Sequence, residues 1–321
     1  MKKVITSLRY GGIFLFVSLI MISCQRVMDF IPNSATQNKS IAKIVKTTPQ
    51  FSLLETALNR AGLTSTLDGN GSFTVFAPTN DAFHAAGFNS VADINAVPVQ
   101  TLTDILLYHV LDVKILSNAI PEAPNTEVGT LDAGKKIFVT KMNGKICING
   151  VNVVTKDIKA KNGVIHAIDR VLFPPAGTIV DAVAGNPDFS LLLQAVLRAG
   201  TTGTDVAALL SSDGPFTVFA PTNTAFQNLL GTLGATSLDD IPAATLLNVL
   251  SYHVVPARVF SCNLSNGQVA GTALPGSSIT FDLTSGAKVK GTGNTTASNI
   301  IKTDLVTTNG VIHVIDQVLL P

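Results

Sequence analysis

Among its 321 residues the chain has no tryptophan, three tyrosines and three cysteines, and only 13% of its residues are charged. Tyr10 sits in the N-terminal leader, leaving Tyr108 and Tyr252. An aromatic sugar-binding platform is therefore poorly supplied. Soluble domains carry about 25% charged residues, so solubility must rest on Thr, Asn and Ser, as in extracytoplasmic binding domains. The net charge of +1 provides no field to attract nucleic acid, and no such partner is expected. Cys147 and Cys262 lie in different halves at non-equivalent positions. A bridge within either half is excluded, and two buried free thiols are the expectation. Neither G-x-S-x-G nor H-E-x-x-H occurs. Gly129, Gly134 and Lys135 fit G-x-x-x-x-G-K, but Lys136 stands where the magnesium-binding Ser or Thr belongs.

What is present is said twice. GSFTVFAPTNDAF (Gly71–Phe83) returns as GPFTVFAPTNTAF (Gly214–Phe226), identical at 11 of 13 positions and displaced by 143 residues. NGVIHAIDRVLFP (Asn162–Pro174) returns as NGVIHVIDQVLLP (Asn309–Pro321), identical at 10 of 13 and displaced by 147. A period this long suits a whole domain rather than a solenoid unit of about twenty to fifty residues. The second copy runs to the last residue of the sequence, so the expectation is two modules and a short leader.

The leader has Lys2, Lys3 and Arg9 before an apolar run, Gly11–Ile22. That is a secretory signal, too short to span a bilayer as a permanent helix. Met21-Ile22-Ser23-Cys24 resembles a bacterial lipoprotein box, with Cys24 as the lipid anchor, although Met21 stands where Leu is commoner. The alternative is an ordinary signal with an incidental cysteine. The organisation expected is a signal peptide at 1–23, a tether at 24–37, and modules at 38–174 and 176–321. The link Pro174-Pro175-Ala176-Gly177 is short, which predicts a fixed or limited range of angles between the modules.

Each module opens on a helix. Leu54, Ala57, Leu58 and Ala61 recur as Leu192, Ala195, Val196 and Ala199 at i, i+3, i+4, i+7. Thr48-Pro49 and Asn186-Pro187 are placed as cap and first-turn proline, and Gly62 and Gly200 as stops. FTVFA reads as a buried strand ended by Pro78 or Pro221, with Asn80 or Asn223 placed to cap the next helix. A further helix (TLTDILLYHV, TLLNVLSYHV) and then β-rich runs follow, broken in module one by Asn-Gly at 143–144, 149–150 and 162–163. Asn-Gly between such runs signals a hairpin. Each module therefore reads as α+β, helical first and largely antiparallel second.

Tyr108-His109 and Tyr252-His253 are the first candidates for function. His109 continues the apolar face of Leu102, Ile105 and Leu106, and His253 that of Leu246, Val249 and Leu250. A buried, hydrogen-bonded histidine is the favoured reading. Each tyrosine falls one residue off that face and is expected to be partly exposed, which makes it the better contact candidate. His166 and His313 sit in the terminal strands, far from the other histidines in sequence. No metal-ligand spacing results, and no metal or other cofactor is expected. Asp169 and Asp316 recur without an identifiable second carboxylate for acid–base work, so no catalytic residue is assigned. Their expected role is a hydrogen bond to backbone.

FTVFAPTN…AF, the Tyr-His pair and NGVIHxIDxVLxP, found twice in one order, resemble the fasciclin-like domain family over nearly all of the chain after the leader. The resemblance implies a β-sandwich or wedge flanked by short helices, extracellular adhesion, and no general catalytic activity. It points to Tyr108, His109, Tyr252 and His253 as candidate binding residues. The resulting expectation is a lipid-anchored envelope protein, at the outer membrane on its periplasmic or surface face. It would bind a protein or polysaccharide of a matrix or cell surface. The alternatives are a scaffold subunit of an envelope complex, for instance in polysaccharide uptake, and a hydrolase using His109, His166 and Asp169 with their repeats.

Overall fold

The computed structural model describes residues 36–202 and 206–321. The signal peptide, Cys24 and the tether up to residue 35 lie outside the described residues. Module one opens with α1 (Ile41–Thr47), whose N-cap Ser40 accepts a hydrogen bond from the Lys43 N–H. A 3-10 turn (Pro49–Phe51) leads into α2 (Ser52–Arg60), followed by α3 (Thr64–Asp68) and β1 (Phe73–Pro78). Next come α4 (Asn80–Ala85), α5 (Val91–Ala96), α6 (Val99–Tyr108) and β2 (Val110–Leu111). The strands β3 (Thr126–Gly129), β4 (Lys136–Met142), β5 (Lys145–Ile148), β6 (Val151–Ala160) and β7 (Gly163–Ile168) complete it.

Module two repeats the plan with α7 (Ile179–Ala184), α8 (Ser190–Ala199), α9 (Val206–Ser211) and β8 (Phe216–Pro221). It continues with α10 (Asn223–Leu233), α11 (Ala243–Tyr252), β9 (Val254–Val255) and β10 (Val269–Gly271). It ends with β11 (Ser278–Asp282), β12 (Lys288–Lys290), β13 (Ser298–Thr307) and β14 (Gly310–Ile315).

Each module holds one seven-stranded sheet, ordered β2-β1-β7-β6-β5-β4-β3 in the first and β10-β11-β12-β13-β14-β8-β9 in the second. The two repeated segments are neighbours: β1 runs parallel to β7, from Phe73 opposite Gly163 to Pro78 opposite Ile168. In module two β8 and β14 pair in the same way, and the other pairs are antiparallel. Both faces of this central pair are buried, which is why its sequence is continuously apolar rather than alternating. Phe73, Val75, Ala77, Ile165 and Ala167 pack under the helices. Phe76 and Ile168 point the other way, into a second cluster with Tyr108, Ile137 and Ile148 inside the folded-over sheet. The result is two tandem α+β modules, each a wedge of sheet flanked by short helices.

Turn chemistry follows the sequence in part. Asn143-Gly144 and Asn149-Gly150 all take positive φ, from 51° to 80°, and connect β4 to β5 and β5 to β6. Asn162-Gly163 has a different duty. A Cβ on Gly163 would lie 2.1 Å from the Phe73 carbonyl oxygen, and one on Gly310 would lie 2.2 Å from that of Phe216. Only glycine lets the parallel strands close. Asn162 is buried; its Oδ1 accepts from the Ile41 N–H at 2.9 Å, and its Nδ2 donates to the carbonyls of Leu67 at 2.9 Å and Gly69 at 2.8 Å. Asn309 does the same with Ile179, Leu210 and Ser212.

The caps need correcting. Thr79 and Thr222, rather than Asn80 and Asn223, cap α4 and α10, accepting from the N–H groups of Ala82 and Ala225. Asn80 serves the start of α2 instead, where Phe51 offers no side-chain cap. Its Oδ1 accepts from the Leu53 N–H at 3.1 Å and its Nδ2 donates to the Pro49 carbonyl at 3.0 Å. Asn223 repeats this at Leu191 and Pro187, each at 2.9 Å. Thr48 turns back to the Ile44 carbonyl, and Gly200 continues as αR into another 3-10 turn rather than stopping in the left-handed region as Gly62 does at φ 70°.

These contacts give two stability tests. Asn80→Ala is expected to destabilise by about 1–2 kcal/mol, because it removes a cap and leaves a helix N–H unmet. Gly163→Ala is expected to cost more, since the backbone of the central pair must separate. Urea unfolding midpoints measure both; an unchanged midpoint in Gly163→Ala contradicts the close approach.

Candidate functional site

The Tyr-His residues lie inside the modules. Tyr108 and Tyr252 are both 0% exposed, which corrects the expectation that they are partly open to solvent. Helical periodicity sets them off the face that meets the helical layer, but the folded-over sheet covers their own side. The Tyr108 hydroxyl donates to the Lys136 carbonyl and accepts from Asn149 Nδ2, both at 2.9 Å. Desolvation pushes its pKa up to about 12, partly opposed by the Asn149 hydrogen bond. The Tyr252 hydroxyl donates to the Ser278 carbonyl at 2.5 Å and accepts from the Thr292 N–H at 3.0 Å. With hydroxyl and ring both enclosed, neither tyrosine can touch a ligand in the folded protein.

Four buried histidines tie elements together. His109 Nδ1 donates to the Ile105 carbonyl at 2.7 Å, while its Nε2 accepts from the Leu172 N–H at 2.9 Å. His253 does the same with Val249 and Leu319. Both are neutral, with one nitrogen donating and the other accepting. They therefore join the end of α6 or α11 to the segment after β7 or β14, and as binding residues they are corrected to buried latches. His166 stacks on Phe76 at 5.8 Å, accepts from the Asp157 N–H at 3.2 Å, and donates to the Ile115 carbonyl at 2.9 Å. His313 repeats this with Phe219, Asp304 and Val259.

Asp157 and Asp304 are the recurring carboxylates that the sequence reading missed. Each sits nine residues before its histidine, at positive φ (62°) in the bulge of β6 or β13. The displacement between them equals that of the closing motif, a signal that was present in the sequence. Ser117 donates through its N–H and hydroxyl to Asp157, as Ser261 does to Asp304. Serine, aspartate and histidine are thus adjacent in each module. The arrangement lacks the geometry of a nucleophilic triad, because each hydroxyl is committed to a carboxylate and both imidazole nitrogens to backbone. Asp169 and Asp316 accept from the N–H and side-chain amide of Asn152 and Asn299. Among the described residues no group of three His, Cys, Asp or Glu could hold a metal ion.

A wide concave surface lies where the modules meet. Arg170 reaches across to Asp304 at 3.0 Å and to Thr303 at 3.2 Å, and also donates to the Gly150 carbonyl at 2.8 Å. Gly150 is open enough for this, since a Cβ there would stand 2.4 Å from the Asp304 carboxyl. Nearby, the Arg258 guanidinium lies 4.0 Å over the Phe138 ring, and Phe138 meets Phe260 at 6.1 Å. Beside the Arg170–Asp304 pair a cleft of about 1010 Å³ opens, lined by both modules. Phe173 and Ile301 border it at 48% and 56% exposure. From Ile301 onward β13 pairs only with β14, so its other edge lines the cleft.

The buried histidines make stability depend on pH. Burial lowers His109 and His253 from 6.5 to about 4, and His166 and His313 are lowered for the same reason. Above pH 6.5 neither folded nor unfolded chain protonates them. As pH falls from 6.5 towards 4 the unfolded chain gains the protons first, so stability falls, by roughly 1.4 kcal/mol per pH unit for each fully buried histidine. The urea midpoint is expected to be level above neutrality and to drop through that window, with a shallower drop in His109→Gln. A profile unchanged in the variant contradicts this assignment.

Two stretches, residues 49–174 and 187–321, match the Fasciclin domain family model. Transforming growth factor-beta-induced protein ig-h3 of Sus scrofa is 31% identical over 264 residues, 82% of this chain and 35% of that protein. Periostin of Homo sapiens is 30% identical over 257 residues, 79% of this chain and 29% of that protein. Both relatives are thus about three times longer than the part that this chain matches. Protein sll1483 of Synechocystis is 44% identical over 147 residues, 46% of this chain and 74% of that protein. A solved FAS1 domain pair from the insect cell adhesion molecule Fasciclin I covers 84% of this chain and 96% of its own, at 19% identity and a TM-score of 0.41. One matched stretch falls in each module of the fold, and the chain belongs to the fasciclin domain family as a tandem pair.

Proposed function

We propose that this chain is a non-catalytic adhesion protein of a bacterial cell envelope, held by a lipid on Cys24 at the outer membrane, on its periplasmic or surface face. Its ligand is a protein or polysaccharide of a matrix or neighbouring cell surface, and the cleft between the modules receives it. The observation that carries this reading is the composition of that cleft: exposed Phe173 and Ile301, and an unpaired strand edge beside them. Strand edges offer a row of N–H and C=O groups to an extended peptide, and neighbouring side chains add specificity. The association of the fasciclin family with adhesion supports the same reading, as do the secretory leader and the low charge.

The test uses the mature soluble chain as bait against envelope and matrix extracts, beside a Phe173→Asp, Ile301→Asp double variant. Loss of capture by the folded variant is expected; equal capture places the site elsewhere. A stoichiometric complex with envelope proteins alone would favour the scaffold role. The anchor has its own test: Cys24→Ser is expected to abolish fatty-acid labelling in the producing cell, and persistent labelling contradicts it.

A further inference from the structure

Cys147 and Cys262 occupy unrelated places in their modules, one in β5 and the other in the 3-10 turn Ser261–Asn263. The packing of the modules brings them together. Cys147 stands opposite Thr140 in the β4/β5 ladder, and Thr140 Oγ1 lies 3.5 Å from Oδ1 of Asn263, the residue after Cys262. Asn263 also donates to Asn125 Oδ1 at 3.4 Å, and Asn125 Nδ2 donates to the Arg258 carbonyl at 2.6 Å. Cys262 Sγ lies 3.3 Å from that same Asn263 Oδ1, and Cys147 Sγ lies 3.6 Å from Asn152 Oδ1, so both thiols border this polar seam. Both are free; Cys147 is buried and Cys262 half-buried. The expectation of two buried free thiols holds for Cys147, whereas Cys262 is half-buried; a strand of one module and a turn of the other bring both to one seam.

We propose that Cys147 and Cys262 form an oxidation site, closing to a single disulfide that joins the two modules covalently. The electron acceptor is an external disulfide, either a small molecule or an oxidised dithiol protein of the oxidising compartment to which the leader directs the chain. Cys262 is the sulfur that such a reagent can reach. Its thiolate attacks one sulfur of the external disulfide, forming a mixed disulfide and expelling the other half as a thiolate, which takes up a proton. Cys147 then attacks Cys262 Sγ, the mixed disulfide breaks, and the second half leaves and is protonated. The protein loses two protons and two electrons, and the external disulfide becomes two thiols.

The modules already meet through Arg170–Asp304 and Phe138–Arg258, so the disulfide would fix an arrangement that exists without it. The chain carrying Cys24→Ser retains only these two thiols. It is treated, folded and reduced, with oxidised glutathione, then examined by thiol titration, intact mass and peptide mapping under non-reducing conditions. The expected result is parallel loss of both thiols, a mass lower by two hydrogen atoms, and one peptide pair linked through Cys147 and Cys262. Adding Cys147→Ser is expected to leave glutathione on Cys262. A wild-type pair that stops at a glutathione adduct on Cys262 with Cys147 still titratable overturns the proposal. So does a pair that does not react while the protein stays folded. Because the wild-type pair carries the decisive measurement, misfolding of the serine variant does not affect it.

Discussion

Everything in each module hangs on the close parallel approach of two strands, β1 with β7 and β8 with β14. A parallel pair needs its crossover elsewhere; in module one α4 to α6 and β2 to β6 lie between the two strands, and α1 to α3 precede them. Side chains that reach backbone groups then fasten that material to the pair. Asn162 holds the start of α1 and the end of α3; His109 holds the end of α6; His166 and Thr74 hold the loop after β2. Module two repeats each of them with Asn309, His253, His313 and Thr217. Loops and short helices leave backbone N–H and C=O groups without regular partners, and burying them unmet costs about 1–3 kcal/mol each. These repeated polar residues meet that demand, which explains why they sit in an otherwise apolar setting.

The same logic limits what the sequence could disclose. The repeat, the buried strand and the helix faces were legible because apolar spacing reports burial directly. The role of Asn80 was not, since a cap assigned from its neighbours cannot show that the amide serves a helix some thirty positions earlier. Tyr108 was misplaced because a helical period describes one covering layer, and this helix end is covered by two. The carboxylates beside His166 and His313 were readable in principle, from Asp157 and Asp304 at equal offsets. A search confined to the closing motif passes over them.

The cysteine pair was hidden for a more general reason. Tandem copies that pack head to tail bring together unlike faces of one module. Aligning the copies therefore matches neither Cys147 nor Cys262 to a second cysteine, although both border one seam between the modules. The other interface groups behave likewise. Arg170 has Gln317 at the equivalent place in the closing motif. Asp157 and Asp304 share their serine contacts, but only Asp304 has an arginine across the seam. The copies agree where the fold demands it and differ where they touch.

This difference changes how two modules should be thought of as a binding device. Two independent domains on one tether gain avidity through a second engagement whose strength depends on reach and flexibility. Here the short link, the Arg170–Asp304 pair and the aromatic-guanidinium contact oppose that flexibility. The concave surface on offer belongs to neither module alone, since Phe173 comes from the first and Ile301 from the second. A ligand in the cleft would meet one preorganised site and be spared the cost of ordering two domains. If the cleft is the binding site, as proposed, the groups that hold the modules together would shape the affinity as much as the residues that line it.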